Sequence, residues 1–159
     1  MKRYGIFGLA LLGAAGFAHA QEIVVQYSDD FTESLQEDLG EREGTYLSEK
    51  LTKDITEAFA KNGVSAHRVV VTIEDAAPNR PTFTQLSDRI GLSPRSFSVG
   101  GLDVTGEALG ADGDVLAQVE YDYYTHDIRD AQNRGTWSDA RRASKRFAHR
   151  LAKALADPN

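Results

Sequence analysis

The stretch VLAQVEYDYYT (115–125) alternates in character and places Val115, Ala117, Val119, Tyr121 and Tyr123 on one side of an extended chain. A period of two over that length specifies a half-buried β-strand, which needs a neighbour to pair with and a layer to cover its apolar side. The neighbour precedes it directly. SFSVGGLDVTGEALG (96–110) reads as a strand, and Asp112-Gly113 between the two is the signature of a tight type I′ hairpin. Phe97 and Val99 differ in parity from Leu102, Val104 and Ala108, so a β-bulge is expected at Gly100-Gly101 to bring them to one face.

The cover is supplied by two helical patterns. TYLSEKLTKDITEAFAKNG (45–63) spaces Leu47, Leu51, Ile55, Ala58 and Phe59 by three and four, with Thr45 or Ser48 as caps and Asn62-Gly63 as a left-handed stop. TWSDARRASKRFAHRLAKAL (136–155) gathers Ala140, Ala143, Phe147, Leu151, Ala154 and Leu155 on one arc with Trp137 at its edge. Thr136 or Ser138 is its expected N-cap, and Asp139 falls where the helix dipole favours a negative charge. EIVVQY (22–27) and HRVVVTIE (67–74) read as two further strands, the second apolar enough to be central. The acidic, twice-glycine-interrupted stretch 28–44 reads as a loop with room for one helical turn. The segment 75–96 reads as a long loop with a short helix at 84–91, whose Leu86 and Ile90 are expected to point inward. The order β-α-β-β-β-α specifies an α+β two-layer sandwich: a four-stranded mixed sheet with two helices on one face.

Residues 1–20 stand apart. Lys2 and Arg3 precede an apolar run from Gly5 to Phe17, followed by Ala18-His19-Ala20. That is the pattern of a secretory signal peptide cleaved after Ala20. The run is shorter than the ~20 residues a membrane-spanning helix requires, and no later stretch is apolar enough to span. Residues 21–159 are expected to form a single α/β domain in the periplasm. The chain has no cysteine, which excludes thiol catalysis, redox pairs, cysteine zinc sites and a lipidated N-terminal Cys.

Charge is unevenly spread. Residues 21–135 hold 10 Lys/Arg against 22 Asp/Glu, whereas residues 136–159 hold 6 against 2. An acidic body with one basic element is not the footprint of a nucleic-acid binder. The face formed by Arg141, Arg142, Lys145 and Arg146 has two readings. It is either a surface for an anionic partner or the solvated back of a packing helix, and its alanine-rich opposite face favours the second.

Of the histidines at 67, 126 and 149, only His126 sits among carboxylates, in DYYTHDIRD. Asp122, Tyr124, His126 and Asp127 are the candidate ligand-binding residues, since a histidine beside carboxylates can take up a divalent cation or pair a base with its orienter. The spacing matches no metal signature, so no metal is assigned. Tyr121, Tyr123, Tyr124 and Trp137 offer a second candidate, an aromatic pocket for a small ligand. There is no GxSxG elbow and no phosphate loop; no residue is assigned to catalysis and no cofactor is expected.

Three stretches together resemble uncharacterised Gram-negative envelope proteins of a domain-of-unknown-function family: PNRPTFTQL (78–86), SVGGLDVTGEALGADGDVLAQVEYDYY (98–124) and TWSDARRASKRFAHRLAKAL (136–155). Shared features are a signal sequence, a small α/β domain, a Gly-Gly strand and a Trp-x-Asp-Ala helix start. The resemblance covers roughly residues 67–155. It implies a periplasmic address and a similar fold, and it implies no activity. Many relatives of that kind are lipoproteins, whereas this chain lacks the cysteine. The leading expectation is a non-catalytic domain that binds or scaffolds an envelope protein or cell-wall component. Its surfaces would be the 75–96 loop and the open sheet face near Asp122 and Tyr124. The alternative is a small-ligand or divalent-metal binder using the His126, Asp127 and Tyr124 region, with a hydrolase third.

Overall fold

The computed structural model describes residues 21–157; the expected signal peptide lies outside the described residues. The order is β1 (Glu22–Tyr27), α1 (Asp29–Ser34), a π-helical turn (Leu35–Leu39), α2 (Glu41–Asn62), β2 (Arg68–Ala77), α3 (Phe83–Asp88), β3 (Gly101–Leu109), β4 (Val115–Tyr124), a 3-10 turn (Ile128–Ala131) and α4 (Ser138–Ala156). The four strands form one sheet in the order β1-β2-β3-β4. β1 runs parallel to β2, while β2–β3 and β3–β4 are antiparallel. The α+β two-layer architecture expected from the sequence is the one observed, with α2 lying over β1 and α4 over β3 and β4.

The core lies between sheet and helices. α2 contributes Leu47, Leu51, Ile55 and Phe59, the sheet Val69, Val71, Ile73, Leu102 and Val104, and α4 Phe147 and Leu151, all buried. Phe147 is 0% exposed, and its ring rests on Gly106 of β3: a Cβ there would stand 2.6 Å from Phe147 Cζ. Glycine in mid-strand is thus the socket for the largest side chain of α4. The two helices are also clamped by a polar contact. Ser144 Oγ donates to Asp54 Oδ2 at 2.6 Å, and Lys50 Nζ pairs with the other oxygen of that carboxylate.

Several expectations change. Stretch 28–44 is helical, not a loop: Phe31, Leu35 and Leu39, four apart, form a buried stripe inside the acidic sequence. Ser28 Oγ caps it by accepting from Phe31 N at 3.1 Å. α2 begins at Glu41 behind Gly40 (φ 97°), not at a Thr45 or Ser48 cap. Gly44 is no breaker; it lets the helix approach Leu35, whose Cδ1 would be 2.7 Å from a Cβ at that position.

β3 starts at Gly101, so Phe97 and Val99 lie outside it and are exposed. The glycine pair makes no bulge. A Cβ on Gly100 would meet the Asn79 side chain at 2.7 Å, and one on Gly101 would meet Tyr123 O at 2.3 Å. The irregularities fall at Ile73/Asp75 and Ala108/Leu109 instead. The β3–β4 turn is not type I′, which needs two left-handed residues: among the described residues none but glycine has positive φ, and in this turn Gly113 alone does, at 85°. α3 ends at Asp88, and Arg89 is extended. Ile90, expected inside, is therefore fully exposed, and Gln85 is the buried residue of that helix.

Candidate binding site

The site forms where α4 begins, and a remote side chain makes that beginning possible. Neither Thr136 nor Ser138 caps α4; the N-cap position is Trp137, which offers no side-chain acceptor. The free amide of Asp139 donates to Asn79 Oδ1 at 2.9 Å, and Asn79 N donates to Thr136 O at 2.7 Å. Asn79 Nδ2 in turn donates to Asp139 Oδ2 at 2.6 Å, an oxygen that also accepts from Thr125 Oγ1 at 2.6 Å. Asp139 is 0% exposed. Its other oxygen has no hydrogen-bond partner, and Arg134 Nη1 stands 3.8 Å away. A buried carboxylate needs such donors to offset the loss of water.

The same knot orders the loops around it. The Arg80 guanidinium donates to Arg134 O at 2.8 Å, Gln132 O at 2.5 Å and Arg95 O at 3.1 Å, tying 94–95 to 132–134. α3 opens on a reciprocal capping box between Thr82 and Gln85. Gln85 Nε2 reaches across to Asp38 Oδ2 at 2.7 Å, and Arg89 pairs with Asp38 at 2.6 Å. The 75–96 segment is therefore a fixed structure rather than a slack connection.

Between the first turns of α2 and α4 and the start of α3 lies a cleft of about 350 Å³, lined by Arg42, Tyr46, Pro81, Phe83, Leu86, Trp137 and Arg141 among others. Trp137 is its floor, 5% exposed, and its indole Nε1 donates to Glu43 Oε2 at 2.6 Å. That bond turns one oxygen of the Glu43 carboxylate to the indole and leaves its charge in place. Phe83 is 75% exposed, although the capping box fixes its backbone. Adjoining the cleft through Arg141 is a second depression of about 360 Å³ lined by Arg134, Ser138, Arg141, Arg142 and Lys145.

The residues singled out in the sequence do not gather here. Tyr124 lies on the open sheet face, its hydroxyl donating to Asp75 Oδ2 at 2.6 Å. Burial, that hydrogen bond and the nearby carboxylates of Asp75, Asp103 and Asp122 keep the phenol protonated well above the ordinary range. Asp122 stands opposite Asp103 in register. His126 is exposed beyond the strand end. The Asp127 carboxylate accepts from the Arg129 guanidinium, Nε at 3.0 Å, and from Arg129 N at 2.9 Å, which lowers its pKa. No hydrogen bond among the described residues joins His126 or Asp127 to Asp122 or Tyr124. Nor is any group of three His, Asp or Glu there arranged to hold a metal ion.

Arg141, Arg142, Lys145 and Arg146 are all exposed, but they divide. Arg146 lies over the Tyr123 ring at 4.9 Å and Arg150 over Tyr121 at 4.4 Å, so the far end of the basic face is stacked on β4. Tyr121 and Tyr123 thus lie under arginines, Tyr124 bonds to Asp75, and Trp137 lines the cleft. Asn79, Arg80, Tyr46 and Phe83 escaped the sequence reading. Thr82-x-x-Gln85 was the legible signal that Phe83 heads a helix rather than lying slack in a loop.

No protein-family model matches this chain, and no curated protein matches it. A solved structure, the 2.35 Å crystal structure of a minor lipoprotein from Acinetobacter baumannii, aligns over 87% of this chain and 93% of that one at 9% identity, with a TM-score of 0.36. A likeness so slight carries no argument. The envelope resemblance rests on the three quoted stretches.

Proposed function

We propose that the chain is a secreted periplasmic domain that binds another envelope component without catalysing a reaction, and that the cleft between α2, α3 and α4 is where it binds. The observation that carries this reading is Phe83: a large apolar ring held out to solvent by a capped helix, above a buried tryptophan and beside two arginines. Tyr, Trp and Arg concentrate at binding hot spots because they combine apolar area with directed polar contacts. No helix among the described residues is long and apolar enough to cross a membrane, which is consistent with a domain released after cleavage at Ala20. Intact-mass analysis of the exported protein should find Gln21 as its first residue.

The test is capture from envelope extract with the wild-type protein, Phe83→Ser and Arg141→Glu as baits. Both substitutions alter exposed side chains, so the fold should survive them. Retention of one component by the wild type and its loss on both variants supports the reading. Equal recovery on all three removes the cleft from it.

A further inference from the structure

Resting on that reading, we infer that the occupant is an acidic peptide segment of a partner protein. One bulky apolar side chain enters the Tyr46–Phe83–Trp137 cleft, and the carboxylates lie along Arg134, Arg141, Arg142 and Lys145. Three observations point there. First, Arg141 lines both depressions, which places them side by side. Second, most of the cations lack a carboxylate partner: among the described residues no ion pair engages Arg42, Arg141, Arg142 or Lys145, whereas Arg134 donates to Asp130 O at 3.0 Å and approaches Asp139 at 3.8 Å. Glu43 keeps its charge, since the Trp137 indole it accepts from is neutral, but it is the one carboxylate lining the two depressions against five Lys/Arg. Third, the volume of the cleft, about 350 Å³, suits one large side chain and its backbone.

Charge supplies the selectivity. Residues 21–135 carry 22 acidic against 10 basic side chains, so an acidic segment is disfavoured over most of the body and favoured along the basic helix. Arginine clusters recognise acidic motifs through paired, charge-assisted hydrogen bonds. An extended anionic membrane would call on the whole helix face. Arg146 and Arg150 instead lie on tyrosine rings, which leaves a short cationic groove beside an apolar pocket. That geometry fits a peptide better than a plane of headgroups.

The experiment pans a display library of random twelve-residue peptides on the protein, then measures the enriched peptides in solution against wild type, Phe83→Ser and the pair Arg142→Glu with Lys145→Glu. Melting curves confirm that each variant is folded. Enriched peptides should carry clustered Asp and Glu beside one Trp, Phe or Leu. Their affinity should fall about tenfold on either variant and weaken as salt is raised. Peptides that depend on Phe83 but show no acidic excess, and that bind the double charge variant unchanged, overturn the acidic assignment and leave the cleft as a binding site. No Phe83-dependent enrichment overturns both. Vesicles of anionic phospholipid form the remaining arm: binding to them that exceeds peptide binding and is lost in the double charge variant replaces the peptide with a lipid surface.

Discussion

Asn79, on the segment leaving β2, caps a helix whose first turn lies sixty residues away: its Oδ1 accepts from Asp139 N at 2.9 Å while its Nδ2 donates to Asp139 Oδ2 at 2.6 Å. A single amide thus satisfies an orphan donor of α4 and solvates a buried carboxylate. The packing is close enough that Gly100 has no space for a side chain. The consequence is mechanical. The segment bearing Phe83 and α3 and the helix bearing Arg141 are held in one frame, and the cleft between them keeps its shape.

Asn79→Ala removes both bonds at once. Losing a cap costs about 1 kcal/mol, and depriving a buried charge of a donor costs about 1–3 kcal/mol more. Urea unfolding should therefore show a loss of about 2–4 kcal/mol. A loss below about 0.5 kcal/mol would mean that the knot does not hold the structure together.

Phe147→Ala empties the socket over Gly106 and should cost about 3–5 kcal/mol. Reversing the charge of Arg142 removes only a 3.5 Å contact to the Tyr123 hydroxyl, and reversing Arg146 removes its exposed stacking on the Tyr123 ring, so both should cost far less than Phe147→Ala. Denaturation midpoints of the three variants should separate widely. Similar losses in all three would contradict the division of α4 into a packed and a wet side.

Asp103 has its pKa raised by burial and by the carboxylates of Asp122, Glu74, Asp75 and Glu120. A folded-state pKa above the unfolded value means that the native state holds this proton more tightly. The site is therefore most favourable below the unfolded pKa, and that advantage is lost as pH rises through the folded one. Asp103→Asn should raise the melting temperature at pH 7, with the gain shrinking as pH falls through the raised folded-state pKa and gone below about 4, where aspartate takes up its proton in either state. A gain that does not change with pH would rule out electrostatic crowding as its cause.

The parts of this fold that were legible in the sequence are those whose buried residues are apolar and regularly spaced. α4 could be placed because Ala140, Ala143, Phe147 and Leu151 repeat at helical intervals, and β4 because its alternation is unbroken. Phe31, Leu35 and Leu39 obey the same rule, but the acidic residues between them disguised the helix as loop. The Asn79–Asp139 pairing lies beyond local pattern. It joins two polar residues across two intervening strands, and polar residues in a proline-rich stretch read as solvated. The site was half legible for the same reason. The 75–96 segment and Arg141 could be singled out by length and charge, whereas their convergence on Trp137 depends on that long-range bond.

The most direct test of the central claim places a photo-crosslinking residue at Phe83, or at Gln118 on the open sheet face as a control, in the exported protein. Irradiation in intact cells should give one discrete adduct from position 83 and none from position 118. An adduct that forms from 118 and not from 83 would contradict the account.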